Sequence, residues 1–463
     1  MSLIKSISGI RGTIGGRPGD ALTPVDVVKF AAAYGSWICA RKGKKIVIGR
    51  DARLSGEMVT TLVASTLLGL GLDVIDVGLS TTPTVEMMVP KWRADGGIIL
   101  TASHNPVQWN ALKLLNEKGE FISAADGEAI LALASKEDFQ FAAVTHLGKY
   151  SQVSNAIQLH IEQVKNYKWV DVNAIRKAKF KVVVDAVNST GGIAIPELLK
   201  ALGVKTVKKL NCEPNGKFAH NPEPLPEHLK GISAEVKKGR YDLGIVVDPD
   251  VDRLALIQED GKPFGEEYTL VAVADLILKK KKGSTVSNLS STRALRDITE
   301  KASGSYHAAA VGEVNVVTKM KEVKAVIGGE GNGGIIVPDF HYGRDALIGV
   351  ALFLTHLAKS GMKASELRKT YPQYYISKNK IELTPSINVD RVLSRIREQY
   401  AKERISTIDG VKIDFEERRE WVHLRKSNTE PIIRVYAESA TEVSANALAK
   451  KMLEDLARAA ESA

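Results

Sequence analysis

Residues 101–106, TASHNP, set a hydroxyl beside an imidazole, Ser103 and His104, directly after the apolar run Ile98, Ile99 and Leu100. Serine, histidine, asparagine and proline all suit a polar turn. The same residues suit a nucleophilic or phosphate-carrying serine at the end of a buried strand. A second stretch, YDLGIVVDPDVDRLAL, ends the apolar run 243–247 in Asp248, Asp250 and Asp252. Alternate residues on an extended backbone face the same way, so three carboxylates converge and repel unless a cation sits among them. All-oxygen ligands suit a hard divalent ion such as Mg2+. The carboxyl ends of strands are also where open α/β sheets bind ligands. An acidic turn open to solvent is the competing reading.

Two further stretches are rich in ligand-binding groups. GGEGNGG, residues 328–334, follows the apolar residues 325–327. Its glycines allow close approach of backbone to a ligand, and Glu330 and Asn332 can bond sugar hydroxyls; a flexible turn has the same composition. RKSNTEPIIR offers Arg425, Ser427, Asn428, Thr429 and Arg434. Arginine suits bidentate phosphate binding, and hydroxyls with turn amides complete an anion nest. An ordinary polar surface loop is the alternative. SGIRG places Arg11 between glycines, and GRDARLSG places Arg50 and Arg53 after a strand. For Arg53 a surface ion pair is the expected role.

These loops need elements to aim them. KKIVIGRDARLSG reads as a strand running into a polar loop, followed by a helical stretch over 57–69 and the strand-like LDVIDVG. KFKVVVDAVNSTGG, then IAIPELLKALG and VKTVKKL, repeats that order. STVSNLSSTRALRDITEKASG with SYHAAAVG repeats it more faintly. Strands alternating with helices at this spacing predict parallel sheets, and three passes predict three related α/β domains. The tail differs: KNKIELTP, GVKIDF, EWVHLRKS and PIIRVYAES read as strands, with helices at DRVLSRIREQY and over 444–460. That is a small α+β domain. The expected domains are 1–150, 151–257, 258–371 and 372–463.

Bulk properties narrow the function classes. The 463 residues exceed one ordinary core and predict roughly three or four domains. Two cysteines, Cys39 and Cys212, make neither a disulfide framework nor a metal cluster and suit a reducing cytosol. The start lacks the apolar stretch of a signal peptide, and no segment reaches the roughly 20 apolar residues that span a bilayer. The net charge of +10 suits phosphorylated small molecules in a positive cleft. A nucleic-acid partner starts weak, because aromatics are only 6% and do not interleave with basic residues.

Taken in order, the Arg-Gly start, TASHNP, DPDVDR, GEGNGG and RKSNTEP resemble the α-D-phosphohexomutase family over essentially the whole chain. The resemblance implies three similar mixed-sheet α/β domains plus a smaller C-terminal α+β domain around a central cleft. It implies a phosphosugar mutase of the isomerase class. Ser103 would carry a phosphoryl group, and Mg2+ would be held by Ser103, Asp248, Asp250 and Asp252. Lys113 would serve in proton transfer, Arg11 would steer the phosphoserine side, and Arg253 would sit beside the metal. His104 either orients the serine loop or is a turn histidine bonded to backbone. Gly312, Glu330 and Asn332 would lie at the sugar. Arg425, Ser427, Asn428, Thr429 and Arg434 would hold the distal phosphate. The expected substrate is glucosamine 6-phosphate, giving glucosamine 1-phosphate, with mannose and glucose phosphates as alternatives and a sugar 1,6-bisphosphate as intermediate or activator. A cytoplasmic monomer or homodimer without nucleic-acid or membrane partners is expected. Two positions depart from the usual pattern: Gly334 stands where many bacterial members have a histidine, and Ala111 replaces a glycine before Lys113. A phosphatase with an aspartyl nucleophile, from the D-x-D spacing of Asp248 and Asp250, is the distant alternative; it leaves Ser103 without a role.

Overall fold

The computed structural model describes residues 2–6, 9–382, 388–426 and 432–461. Two compact units emerge: residues 1–269 with 333–367, and residues 270–332 with 368–463. Among the described residues no helix is long and apolar enough to cross a membrane.

The first unit contains two sheets. The larger has seven strands in the order Leu3–Ser6, Gly9–Thr13, Trp109–Leu115, Gly96–Leu100, Lys45–Arg50, Asp73–Leu79 and Tyr150–Gln152. Lys45–Arg50 runs parallel to both its neighbours, whereas Trp109–Leu115 is antiparallel to both of its own, so the sheet is mixed. The helix Pro24–Ala40 starts at a capping box between Thr23 and Asp26 and buries Val27, Phe30, Ala31, Tyr34 and Ile38, a stripe of helical period. One register detail matters for the site. Arg50 pairs with Leu100, so the loops after both parallel strands leave the sheet side by side.

The smaller sheet has the order Leu254–Gln258, Leu243–Val247, Lys181–Asp185 and Thr206–Leu210, with the last three parallel. Leu243–Val247 is buried at every position, which accounts for its unbroken apolar run. Helix Gly191–Ala201 follows Lys181–Asp185 through the left-handed residues Val187 and Asn188. Helix Ala346–Ser360 also belongs to this unit, and Asp345 caps it by accepting from the Leu347 and Ile348 amides.

In the second unit, Tyr306–Ala309, Thr285–Asn288 and Ile327–Glu330 form a parallel set. A five-stranded antiparallel sheet follows, in the order Tyr375–Glu382, Ile432–Ser439, Glu420–Lys426, Val411–Phe415 and Arg404–Ser406. Helices Val389–Gln399 and Glu442–Glu461 cover one face, where Val392, Ile396, Met452 and Leu456 join a core with Ile413, Val422, Leu424, Ile433 and Val435. The period of two sends Lys412, His423, Arg425 and Glu438 to the other face. That face meets the loop after Thr285–Asn288. Lys412 Nζ donates to Leu289 O at 2.8 Å, His423 Nδ1 lies 2.8 Å from Ser290 Oγ, and Glu438 accepts the Arg293 amide at 2.8 Å.

Candidate active site

The serine loop begins where Gly96–Leu100 ends. Ser103 sits at φ +50, uncommon for a residue with a side chain. Its amide donates to Thr101 Oγ1 at 3.0 Å, and Thr101 Oγ1 donates to Asp51 Oδ2 at 2.6 Å. Arg53 completes the clamp. Its Nε donates to Asp51 Oδ2 at 3.0 Å; Nη1 reaches the carbonyls of Pro106 and Trp109 at 2.7 and 2.9 Å; Nη2 reaches those of Ser103 and Asn105 at 2.6 and 2.7 Å. A guanidinium has five N–H donors, and each of them is used. Phe218 covers it, 5.1 Å from ring centroid to guanidinium carbon. Far from the expected surface ion pair, Arg53 is 1% exposed. The correction has a physical cause: the loop turns inward over the sheet, and five acceptors offset the cost of burying the charge.

The Ser103 hydroxyl donates to Asp248 Oδ2 at 2.8 Å. Asp248, Asp250 and Asp252 are fully buried, with one oxygen from each lying within 4.8 Å of the others. They converge by a route other than extended alternation. Residues 248–252 form a turn in which Val251 takes φ +63, an outlier for a β-branched residue. The amides of Asp252 and Arg253 donate to Asp248 Oδ1 at 3.2 and 3.1 Å, closing that turn. Burial, reinforced by Asp252 and Asp250, pushes the Asp248 carboxyl well up. Asp250 is held below the usual carboxylate range despite its burial, because Lys113 Nζ stands 2.7 Å from Oδ2 and Thr82 Oγ1 donates to the same oxygen at 2.6 Å. Lys113 also reaches Asp252 Oδ2 at 3.5 Å, and Arg344 Nη2 lies 2.7 Å from that oxygen. Asp250 Oδ1 and Asp252 Oδ1 are buried without a hydrogen-bond partner among the described residues. Hard, ionisable oxygens with unspent lone pairs fit a small divalent cation such as Mg2+.

Flanking groups complete this cluster. His104 Nδ1 is 3.4 Å from Ser103 Oγ, and burial, with Arg253 and Arg11 nearby, pushes the imidazole down to about 2, leaving it neutral. Arg11 Nη1 donates to Asn105 Oδ1 at 3.0 Å. Arg253 lies 3.5 Å from Glu223 and 3.9 Å from Asp252 Oδ1. The Ser189 hydroxyl accepts from the Ala52 amide at 3.2 Å and donates to the Pro249 carbonyl at 2.7 Å, tying the arginine clamp to the acidic turn.

In the second unit, Glu330 Oε1 accepts from Asn288 Nδ2 at 2.8 Å and from the Gly312 amide at 3.0 Å. Gly312 has φ +115 and starts helix Glu313–Glu322. Arg425 and Arg434 are direct cross-strand partners, and Lys380 pairs with Arg434 on its other side. Like charges placed opposite one another are destabilising, so this cationic row suits a face that binds an anion. Ser427, Asn428 and Thr429 lie outside the described residues.

Comparison with known proteins decides the family. The chain matches four family models in succession: phosphoglucomutase/phosphomannomutase alpha/beta/alpha domain I over residues 3–141, domain II over 158–261, domain III over 265–375, and the C-terminal domain over 381–455. A phosphoglucomutase/phosphomannomutase of Thermococcus kodakarensis is 37% identical over 96% of this chain and 98% of its own length. The chain belongs to the phosphoglucomutase/phosphomannomutase family. A phosphoglucosamine/phosphogalactosamine mutase of Sulfurisphaera tokodaii is 32% identical over 98% of each chain. A family member of Burkholderia thailandensis has the same fold, with a TM-score of 0.84, 25% identity, and coverage of 98% of this chain and 97% of that one. This chain is therefore a phosphohexomutase, an intramolecular phosphotransferase.

Within this phosphohexomutase, the first unit gathers Ser103, His104, Lys113, Arg11, Arg253 and the three aspartates singled out from sequence. The second unit holds Gly312, Glu330, Asn332, Arg425 and Arg434. Sequence reasoning passed over Asp51, Thr82, Ser189 and Arg344. Asp51 had a signal, an acid two residues before an arginine at the end of an apolar strand. Arg344, in DFHYGRD, had none, since the chain returns to Asp252 only after 92 residues.

Proposed function

We propose that the mutase works through a phosphoserine at Ser103 and a bisphosphorylated sugar, and that its preferred reaction converts glucosamine 6-phosphate to glucosamine 1-phosphate. The observation that carries this reading is the 2.8 Å approach of Ser103 Oγ to Asp248 beside two orphaned carboxylate oxygens. Asp248, Asp250 and Asp252, together with an oxygen on Ser103, would hold Mg2+, which when bound supplies charge neutralisation at the phosphoryl oxygens.

The remaining roles fall to the chain's own groups. The phosphoryl group leaves Ser103 Oγ, which regains a proton, and joins a free sugar hydroxyl, which loses one. The bisphosphorylated sugar then turns over and returns its other phosphate to the serine. Lys113, held by Asp250 and Asp252, passes protons at the reacting oxygens. Arg11 and Arg253 face the phosphoserine side, and His104 orients the hydroxyl. Glu330, Asn332 and the Gly312 loop hold the sugar. Arg425, Arg434 and residues 427–429 hold the phosphate that is not reacting. A sugar 1,6-bisphosphate primes the serine.

The glucosamine assignment draws on the GEGNGG loop and on the name of the Sulfurisphaera relative. Glucose and mannose phosphates form the second reading, favoured by the name of the 37% identical Thermococcus relative. One experiment tests both levels. Purified protein is assayed on the 1-phosphates of glucosamine, mannose and glucose with the matching bisphosphate present, and its phosphate is mapped by mass spectrometry. The expected outcome is the highest kcat/KM on glucosamine 1-phosphate and phosphate on Ser103. A preference for another sugar overturns the substrate, and turnover with phosphate on an aspartate alone overturns the phosphoserine route.

A further inference from the structure

Two consecutive amides in the second unit donate to two different carboxylates. Gly312 N–H reaches Glu330 Oε1 at 3.0 Å, and Val311 N–H reaches Asp409 Oδ2 at 3.0 Å. Asp409 lies in the turn before Val411–Phe415, and Arg425 Nε stands 3.0 Å from its Oδ1 and 2.9 Å from its Oδ2. The Asp409 carbonyl lies 2.6 Å from His423 Nε2, and the other nitrogen of that ring is 2.8 Å from Ser290 Oγ. The turn comes this close because residue 410 is glycine. It sits at φ +73, and a Cβ there would fall 2.1 Å from Leu424 O. A side chain would push Asp409 off the strand that carries Arg425.

We infer that Asp409 is a positioning residue. It fixes the Arg425 guanidinium against the Val311–Gly312 loop, so the groups that grip the distal phosphate and those that grip the sugar keep one spacing. The inference rests on the reading of Arg425 as a phosphate-holding residue. With Nε held by Asp409, the Nη1/Nη2 fork is the pair of donors for a phosphate. A long side chain ordered beforehand also loses less freedom on binding. The carboxylate further relieves the cross-strand repulsion between Arg425 and Arg434. Neither the sequence motifs nor the proposed chemistry assigns Asp409 a part.

The test is a cycle of Asp409→Ala, Arg425→Ala and the double variant, read as kcat, KM and the inhibition constant of inorganic phosphate. Asp409→Ala is expected to raise KM and that constant about 10-fold with kcat within about 3-fold. In the Arg425→Ala background the same change is expected to add less than about 2-fold, because its effect is already lost. Asp409→Asn keeps one acceptor and is expected to recover part of the affinity. It also carries the cycle if the alanine variant fails to fold. Effects that simply multiply in the double variant, or a fall in kcat at constant KM, mean that Asp409 does not act through Arg425 and overturn the inference. If Arg425→Ala changes neither KM nor phosphate inhibition, the phosphate-holding reading itself fails and takes this inference with it.

Discussion

Ser103 Oγ and Asp248 Oδ2 stand 2.8 Å apart although 145 residues separate them in the chain. The contact is assembled by two strand ends, Gly96–Leu100 in one sheet and Leu243–Val247 in another, and it puts a hydroxyl at the rim of a carboxylate cluster. Replacing that hydroxyl should therefore remove chemistry and spare the fold. Ser103→Ala is expected to lower turnover on the order of 10³-fold or more, with the unfolding midpoint nearly unchanged. A coupled assay beside a thermal melt reads both, and an active alanine variant would remove serine from the mechanism.

The acidic turn should show opposite effects on stability and activity. Three buried carboxylates repel, so Asp248→Asn is expected to raise the melting temperature of metal-stripped protein while abolishing turnover. In the wild type, Mg2+ at about 100 times its Kd adds about 2.7 kcal/mol of stability, and chelation removes both this increment and the activity. Calorimetry with and without EDTA measures the difference. A variant that melts lower without metal would show that the hydrogen bonds Asp248 accepts outweigh the repulsion it feels.

Arg53 should behave as a structural keystone of the serine loop. Truncation removes five hydrogen bonds, one to the buried Asp51 carboxylate and four to backbone carbonyls. Arg53→Met is expected to cost about 3–5 kcal/mol in urea unfolding, and kcat is expected to fall because the Ser103 carbonyl is released. Arg53→Lys supplies three donors against five and is expected to fall between the two. Wild-type stability in Arg53→Met would contradict the clamp.

Glu438 gives a pH signature. Its burial pushes the carboxyl up to about 7, against the favourable influence of Thr292, the Arg293 amide, Lys412 and Trp421. The folded state thus holds this proton more tightly than the unfolded chain. The contribution is full below pH 4.5 and is lost as pH rises toward 7. Glu438→Gln does not titrate, so the stability of wild type relative to this variant is expected to decline between pH 5 and 8, by on the order of 2 kcal/mol. His423, pushed down to about 4 by burial, has the opposite slope and is common to both proteins. Denaturant titrations across that range decide it; a flat difference would mean that Glu438 is already ionised in the folded protein at pH 5.

Local patterns in the chain announced the strands that aim the site, because Leu243–Val247 and Lys45–Arg50 are apolar runs ending abruptly in charge. They also singled out Ser103, the three aspartates, Arg425 and Arg434 as candidates, because their chemistry is concentrated within a few positions. The burial of Arg53 stayed hidden, since four of its five acceptors are backbone carbonyls 50 to 56 residues away and carbonyls leave no mark on composition. Arg404–Ser406 was missed because three residues are too few to show a period. Alternation correctly drew the three aspartates together but for the wrong reason; the left-handed Val251 does the turning. The polar face of the last sheet, with Lys412, His423 and Glu438 buried against residues 289–293, depends on which surface covers it, and that is a tertiary fact.

The positive φ of Ser103 restricts which alcohol can stand there. Threonine offers the same hydroxyl oxygen. A second group on Cβ crowds the main chain in this conformation, and β-branched residues rarely accept it. On the proposed phosphoserine route, backbone sterics as well as hydroxyl reactivity favour serine as the carrier: an extra methyl at this φ adds strain to the loop that sets the oxygen against Asp248.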